Sequence, residues 1–171
     1  MPLPSSINHQ SRLLTLNIHE EPGIDFGEYF PGMKLWPLFL DPENGVWVLY
    51  ARYGAGTRMP QHFHTGQVHF FTTKGRWNYA EYPEDVQTAG SYLYEPPGSV
   101  HSLSIPDDSD GTEGFMVVNG VNINFDDEGN YIDTSHAGSM EEMILQVAKA
   151  QGIAMPRYIR PGGKAGFTTQ G

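Results

Sequence analysis

GAGTRMPQHFHTGQVHFFTTKG, running from Gly54 to Gly75, is the stretch on which the fold turns, and GSYLYEPPGSVH, from Gly90 to His101, completes it. Both are strand-like runs framed by Gly and Pro turns. Side chains alternate across a strand, so His62 and His64 share a face while Phe63 points the other way. A His-x-His pair on a strand therefore offers two imidazoles to one ion. His101 follows a Pro-Pro-Gly-Ser corner, which aims its side chain reproducibly. Three imidazoles on rigid strands suit a divalent transition metal with open positions, which points to chemistry at the metal; ligand type alone does not choose among Fe, Mn, Ni, Cu and Zn.

Outward from these stretches the chain is strand-rich. Lys34 to Leu40, Val46 to Tyr53, Gln61 to Thr65, Val68 to Thr72, Trp77 to Tyr82, Ser91 to Glu95, His101 to Ile105, Phe115 to Val118 and Val121 to Phe125 are short β-branched or aromatic runs. Gly75, Gly90, Pro96-Pro97-Gly98, Gly111 and Gly129 separate them. Many short strands with regular turns imply an antiparallel sandwich or barrel. One helix is expected over 139–151, with Ser139-Met140-Glu141-Glu142 as a capping box, Met140, Met143, Ile144 and Val147 on its packing face, and Gly152 at its end. Residues 1–30 read as an N-terminal arm, 31–161 as the barrel with its helix, and 162–171 as a tail.

The 171 residues hold no Cys, which excludes a disulfide framework, a thiolate metal site and a cysteine nucleophile, and fits a cytoplasmic setting. Lys and Arg total 10 against 20 Asp and Glu, a formal charge of −10 that argues against nucleic acid or anionic membrane as partner. The first residues lack the basic and apolar regions of a signal peptide, and no apolar run nears the ~20 residues of a membrane span.

The two stretches resemble the paired motifs of the cupin superfamily, G-x5-H-x-H-x3,4-E-x6-G and G-x5-P-x-G-x2-H-x3-N. Gly56, His62, His64 and Gly75 match the first in register; Gly90, Pro96, Gly98 and His101 match the second. The usual Glu position holds Val68, or His69 in the longer spacing, and the final Asn position holds Ile105. The resemblance implies an all-β double-stranded β-helix, or jelly-roll barrel, with His62, His64 and His101 as metal ligands. A neutral three-histidine set leaves the full dipositive charge on the ion and should favour an anionic, chelating substrate. This pattern resembles the ChrR-like cupin group and, within it, dioxygenases of the acetylacetone-cleaving and 2,4′-dihydroxyacetophenone types. That implies a non-haem Fe(II) enzyme cleaving a carbon–carbon bond of a small ketone with O2, with Zn, Mn or Ni possible as purified, and a homodimer. A redox-neutral isomerase, lyase or hydrolase is the alternative, and a metal-binding sensor a further one.

Two carboxylates are candidate catalytic residues. Glu95, at a strand end six positions before His101, either orients an imidazole or takes up the substrate's proton, or else is an ordinary strand-end surface carboxylate. Glu81 belongs to the alternating set Trp77, Tyr79, Glu81, and if that face points inward it is a pocket acid or distal ligand. Val68, Phe70 and Thr72 share another face and, with Trp77 and Tyr79, either line an apolar pocket or fill the core. His69 faces away from the metal if Val68 faces it. His9, His19 and His136 read as bystanders, and Arg52 and Arg58 as surface residues.

Overall fold

Val46–Tyr53 shows how the sequence builds this molecule: Trp47, Leu49, Ala51 and Tyr53 are buried on one face of the strand, with Val48 and Arg52 on the other. The computed structural model describes residues 13–153 and 155–162. Along the chain it contains β1 (Ile24–Asp25), β2 (Lys34–Asp41), β3 (Val46–Tyr53), β4 (Gln61–His64), β5 (Val68–Tyr79) and β6 (Tyr82–Thr88). There follow β7 (Tyr92–Glu95), β8 (Val100–His101), β9 (Leu103–Ser104), β10 (Thr112–Asn119), β11 (Asn122–Phe125), β12 (Tyr131–Ser135) and α1 (Ala137–Ala150).

The strands form two antiparallel sheets. One runs β1-β2-β3-β10-β5-β6, with β7 and β9 also paired to β5; the other runs β12-β11-β4-β8. The first half of β5 lies between β10 and β7, and its second half pairs with β6 and β9. Apolar side chains fill the interior, among them Leu35, Leu40, Leu49, Val68, Phe70, Trp77, Ile105 and Val118. The Trp77 indole N–H donates to Thr72 Oγ1 at 2.9 Å, so this buried polar pair satisfies itself. Val68, Thr72 and Trp77 are therefore core rather than pocket wall.

Several sequence expectations are adjusted. Gly75 does not end a strand: β5 runs through it at φ +76, beside a register shift against Glu113 and Gly114. The expected strand His101 to Ile105 is split into β8 and β9 at Ser102. The structure adds β1, β6 and β12 to the expected strands; β6 is almost wholly exposed and carries no buried alternation. Ile24 and Phe26 are buried and β1 pairs with β2, so the core begins before residue 31. Leu40 N–H donates to the Ile159 carbonyl at 3.0 Å, tying the segment after the helix to the sheet.

The helix starts at Ala137, not at Ser139. His136 is its N-cap: Nδ1 accepts from the backbone N–H groups of Gly138 and Ser139, while Ser139 Oγ accepts from the His136 N–H. Ser139 is thus the third helical residue of a capping box whose first member is a histidine. Met140 and Ile144 are buried as expected, and Gly152 follows at φ +65.

Candidate metal centre

His62 and His64 stand two apart on β4, and His101 on β8 is the direct cross-strand partner of His62. Their ring centroids are 5.0 Å (His62–His64), 4.7 Å (His62–His101) and 5.5 Å (His64–His101) apart. One ligating nitrogen from each lies within 4.8 Å of the others. The corner before His101 is pinned to β4 by the Gly98 N–H, which donates to the His64 carbonyl at 2.9 Å. His62 Nδ1 lies 2.8 Å from the Pro60 carbonyl; the tautomer that satisfies this contact carries its proton on Nδ1 and leaves Nε2 for a metal.

Burial, above all, lowers the His62 pKa to about 4, with the neighbouring imidazoles lowering it further against the Pro60 bond and the Glu95 charge. A neutral imidazole is the form a metal needs. This shift has a consequence for the metal-free protein. Between pH 6.5 and about 4 the unfolded chain takes up a proton that folded His62 refuses, so stability falls as the pH falls through this window. The loss is up to about 3 kcal/mol. Urea unfolding of chelator-treated protein at pH 7 and pH 4.5 should show it. The excess acid sensitivity should shrink in His62→Gln; an equal loss in that variant would remove His62 as its source.

Glu95, on β7 of the opposite sheet, lies against two of the three imidazoles. It is 4% exposed, and its Oε2 lies 3.2 Å from His64 Nε2 and 3.3 Å from His101 Nε2. Its Oε1 accepts a hydrogen bond from the Tyr79 hydroxyl, whose ring stacks on His101 at 4.2 Å. Burial raises the Tyr79 pKa well above its ordinary value, and the Glu95 charge adds to this, so Tyr79 stays a donor. Burial pushes the Glu95 carboxyl up, but the facing imidazoles of His101 and His64 outweigh it and hold the group below the usual carboxylate range. The donor set fits a divalent ion: among the described residues, Glu95 Oε2 and His101 Nε2 are buried with no hydrogen-bond partner.

The cluster borders a cavity of about 230 Å³ between the sheets. Phe30, Met33, Leu49, Met59, Leu103 and Met140 give it apolar walls, together with Phe70 and Tyr79. Asn122 and Asn124 of β11, with Asp133 and Ser135 of β12, form a polar edge. Asn124 Nδ2 donates to Asp133 Oδ1 at 2.6 Å, whereas Asn122 Oδ1 is buried without a partner among the described residues. Sequence reasoning missed this edge. Asn is depleted in strands, so two asparagines at alternate positions of Asn122–Phe125 were the available signal.

The other candidates lie elsewhere. Glu81 is exposed in the β5–β6 turn, where it accepts from Ser102 N and Oγ (2.8 and 2.9 Å) and Gln61 Nε2 (3.2 Å). The strand ends at Tyr79, so alternation does not carry on to residue 81. Glu81 thus braces the chain neighbours of His62 and His101 from outside the pocket. His69 faces outward and bonds the Tyr92 hydroxyl at 2.8 Å, while Val68 is fully buried. Arg58 Nη1 donates to the Ile105 carbonyl at 2.5 Å, and Arg52 pairs with Glu113 at 3.9 Å. His9 lies outside the described residues; His19 is exposed.

Residues 13–122, more than half the chain, match the family described as the ChrR Cupin-like domain. The chain belongs to this cupin family. Among solved structures, this cupin is similar to a protein of unknown function with a cupin-like fold from Ralstonia eutropha JMP134. The two are 39% identical over 95% of this chain and 100% of that one, with a TM-score of 0.87. An RmlC-like cupin protein from the same organism is 28% identical over 85% of this chain and 92% of its own, at a TM-score of 0.76. An acetylacetone dioxygenase from Acinetobacter johnsonii shares the fold at 18% identity, covering 86% of this cupin and 99% of that chain, with a TM-score of 0.68. No curated protein matches the chain. No helix among the described residues is long and apolar enough to cross a membrane.

Proposed function

We propose that this cupin is a non-haem iron(II) dioxygenase that cleaves a carbon–carbon bond of a small ketone. The carrying observation is three clustered imidazoles beside an apolar cavity of about 230 Å³, a volume that suits a small alkyl or aryl ketone. The shared fold of the acetylacetone dioxygenase supports the choice of substrate class.

Held by His62, His64 and His101, iron(II) would relay electrons from an electron-rich ketone enolate to dioxygen, the substrate being the four-electron reductant and both oxygen atoms ending in the two carbonyl products. The chain does the rest. Phe30, Met33, Leu49 and Met140 exclude water and hold the substrate's hydrocarbon part. Asn122 Oδ1, buried and without a partner among the described residues, accepts a hydrogen bond from a hydroxyl of the bound ketone. That acceptor favours an α-hydroxyketone, or the enol form of a β-dicarbonyl.

The test is oxygen uptake by Fe(II)-loaded protein with a panel of β-diketones and aryl α-hydroxyketones, and Zn-loaded protein as control. The expected result is iron-dependent uptake, matched by ketone loss, that disappears in His62→Ala. Turnover of a panel ketone without oxygen, equally fast with Zn, would replace this reading with a redox-neutral one.

A further inference from the structure

Position 68, where the cupin motif usually carries its Glu, is Val68, and its direct partner across the β5–β7 ladder is Glu95. Cross-strand partners share one face of a sheet, with Cβ atoms about 4.5–5.5 Å apart. Both residues are buried, so this shared face is the inner one. A carboxylate lost from one strand can therefore reach the same place from its neighbour. We propose that Glu95 is a fourth protein ligand of the metal, the family's carboxylate moved from position 68 to the facing strand.

The geometry around Oε2 carries this. Nitrogen and oxygen ligands sit about 2.0–2.2 Å from a divalent zinc-sized ion, which puts neighbouring donor atoms roughly 3.0–3.4 Å apart. Glu95 Oε2 is 3.2 Å from His64 Nε2 and 3.3 Å from His101 Nε2. An imidazole nitrogen that binds a metal has no proton to donate. Lone pairs of Oε2 and two such nitrogens would then face one another in a dry site, and a shared cation resolves that conflict. Tyr79 holds the other oxygen, so the carboxylate presents one atom inward and Tyr79 acts as the outer group that orients it. The ion then carries part of its charge neutralised and one fewer open position. This revises the neutral three-imidazole site expected from the sequence.

The proposal rests on the reading that the three histidines bind a metal, and its test needs no substrate. Chelator-treated wild type and Glu95→Gln are titrated with Co(II), following visible absorption and competition with a chelator. Glutamine keeps the shape, and thermal unfolding checks that the variant folds. The expected result is a change in the Co(II) band positions and affinity at least on the order of 100-fold weaker, beyond the ~10–100-fold cost of an outer partner. Val68→Glu combined with Glu95→Gln should recover both. Unchanged bands in Glu95→Gln, whatever the affinity, would overturn the assignment and make Glu95 an outer positioning residue. Wild type that binds no Co(II) would overturn the metal reading and this one together. Absence of dioxygenase activity touches neither result.

Discussion

Replacing His101 with alanine is expected to leave a folded protein that retains no divalent metal and no metal-dependent turnover. His101 is 1% exposed, faces His62 across the β4–β8 ladder and is pressed against Tyr79. Its removal takes away an imidazole whose position the Pro-Pro-Gly corner fixes, and no other His among the described residues stands in the cluster to replace it. The loss of affinity should far exceed the ~10–100-fold expected of an outer partner. The fold should survive, because the largest buried apolar side chains, Trp77, Phe26 and Phe70, are untouched. The truncation should cost about 1–3 kcal/mol, as is common for a buried site. Metal content after desalting, measured by mass spectrometry beside thermal unfolding, separates the two effects. His69→Ala is the matched control: its ring points outward to Tyr92, so metal content should not change. If His101→Ala kept its metal while His69→Ala lost it, the ligand set would be wrong.

The contrast between His69 and His101 also shows what the sequence could reveal. Alternation on one strand is local, so the pairing of His62 with His64 and the outward turn of His69 could be read without a structure. The rigid corner before His101 is local too. Glu95 was visible as a residue near a ligand, but its role depends on register with Val68, on a different strand, and on a hydroxyl from Tyr79. Nothing in the linear spacing carries that register. Glu81 differs for the opposite reason: the strand turns after Tyr79, so alternation does not reach residue 81, and its carboxylate is satisfied by Ser102 and Gln61. The helix starts two residues ahead of Ser139 because His136, a residue type uncommon at helix N-caps where Ser is favoured, caps it. His136 can cap because the proton-free Nδ1 of its ring accepts hydrogen bonds as a carboxylate oxygen would.

Gly75 is the position where reading and structure combine into the largest expected loss of stability. The motif requires a glycine there, and its role as a strand break turns out to be different: β5 continues through it at φ +76. A Cβ at this point would lie 1.9 Å from the Gly111 carbonyl oxygen and 2.9 Å from Thr112 Cα, backbone atoms just before and at the start of β10. Neither can move without disturbing the β5–β10 ladder, where Thr112 faces Gly75 directly. Gly75→Ala is therefore expected to cost about 3 kcal/mol or more, through strained backbone plus the displaced ladder. Gly129 isolates the first part. Its φ is +83, yet a Cβ there would meet nothing within 4 Å, so Gly129→Ala should cost only about 1 kcal/mol. Urea unfolding of both variants measures the difference. Equal losses would mean that backbone conformation alone dictates glycine at position 75, and that the close approach of Gly111 is accommodated by the sheet. A much larger loss for Gly75→Ala would identify the motif glycine as the point where the bulged strand and its neighbour meet. The metal centre depends on that meeting, because the same strand carries Val68 into register with Glu95 and ends at Tyr79.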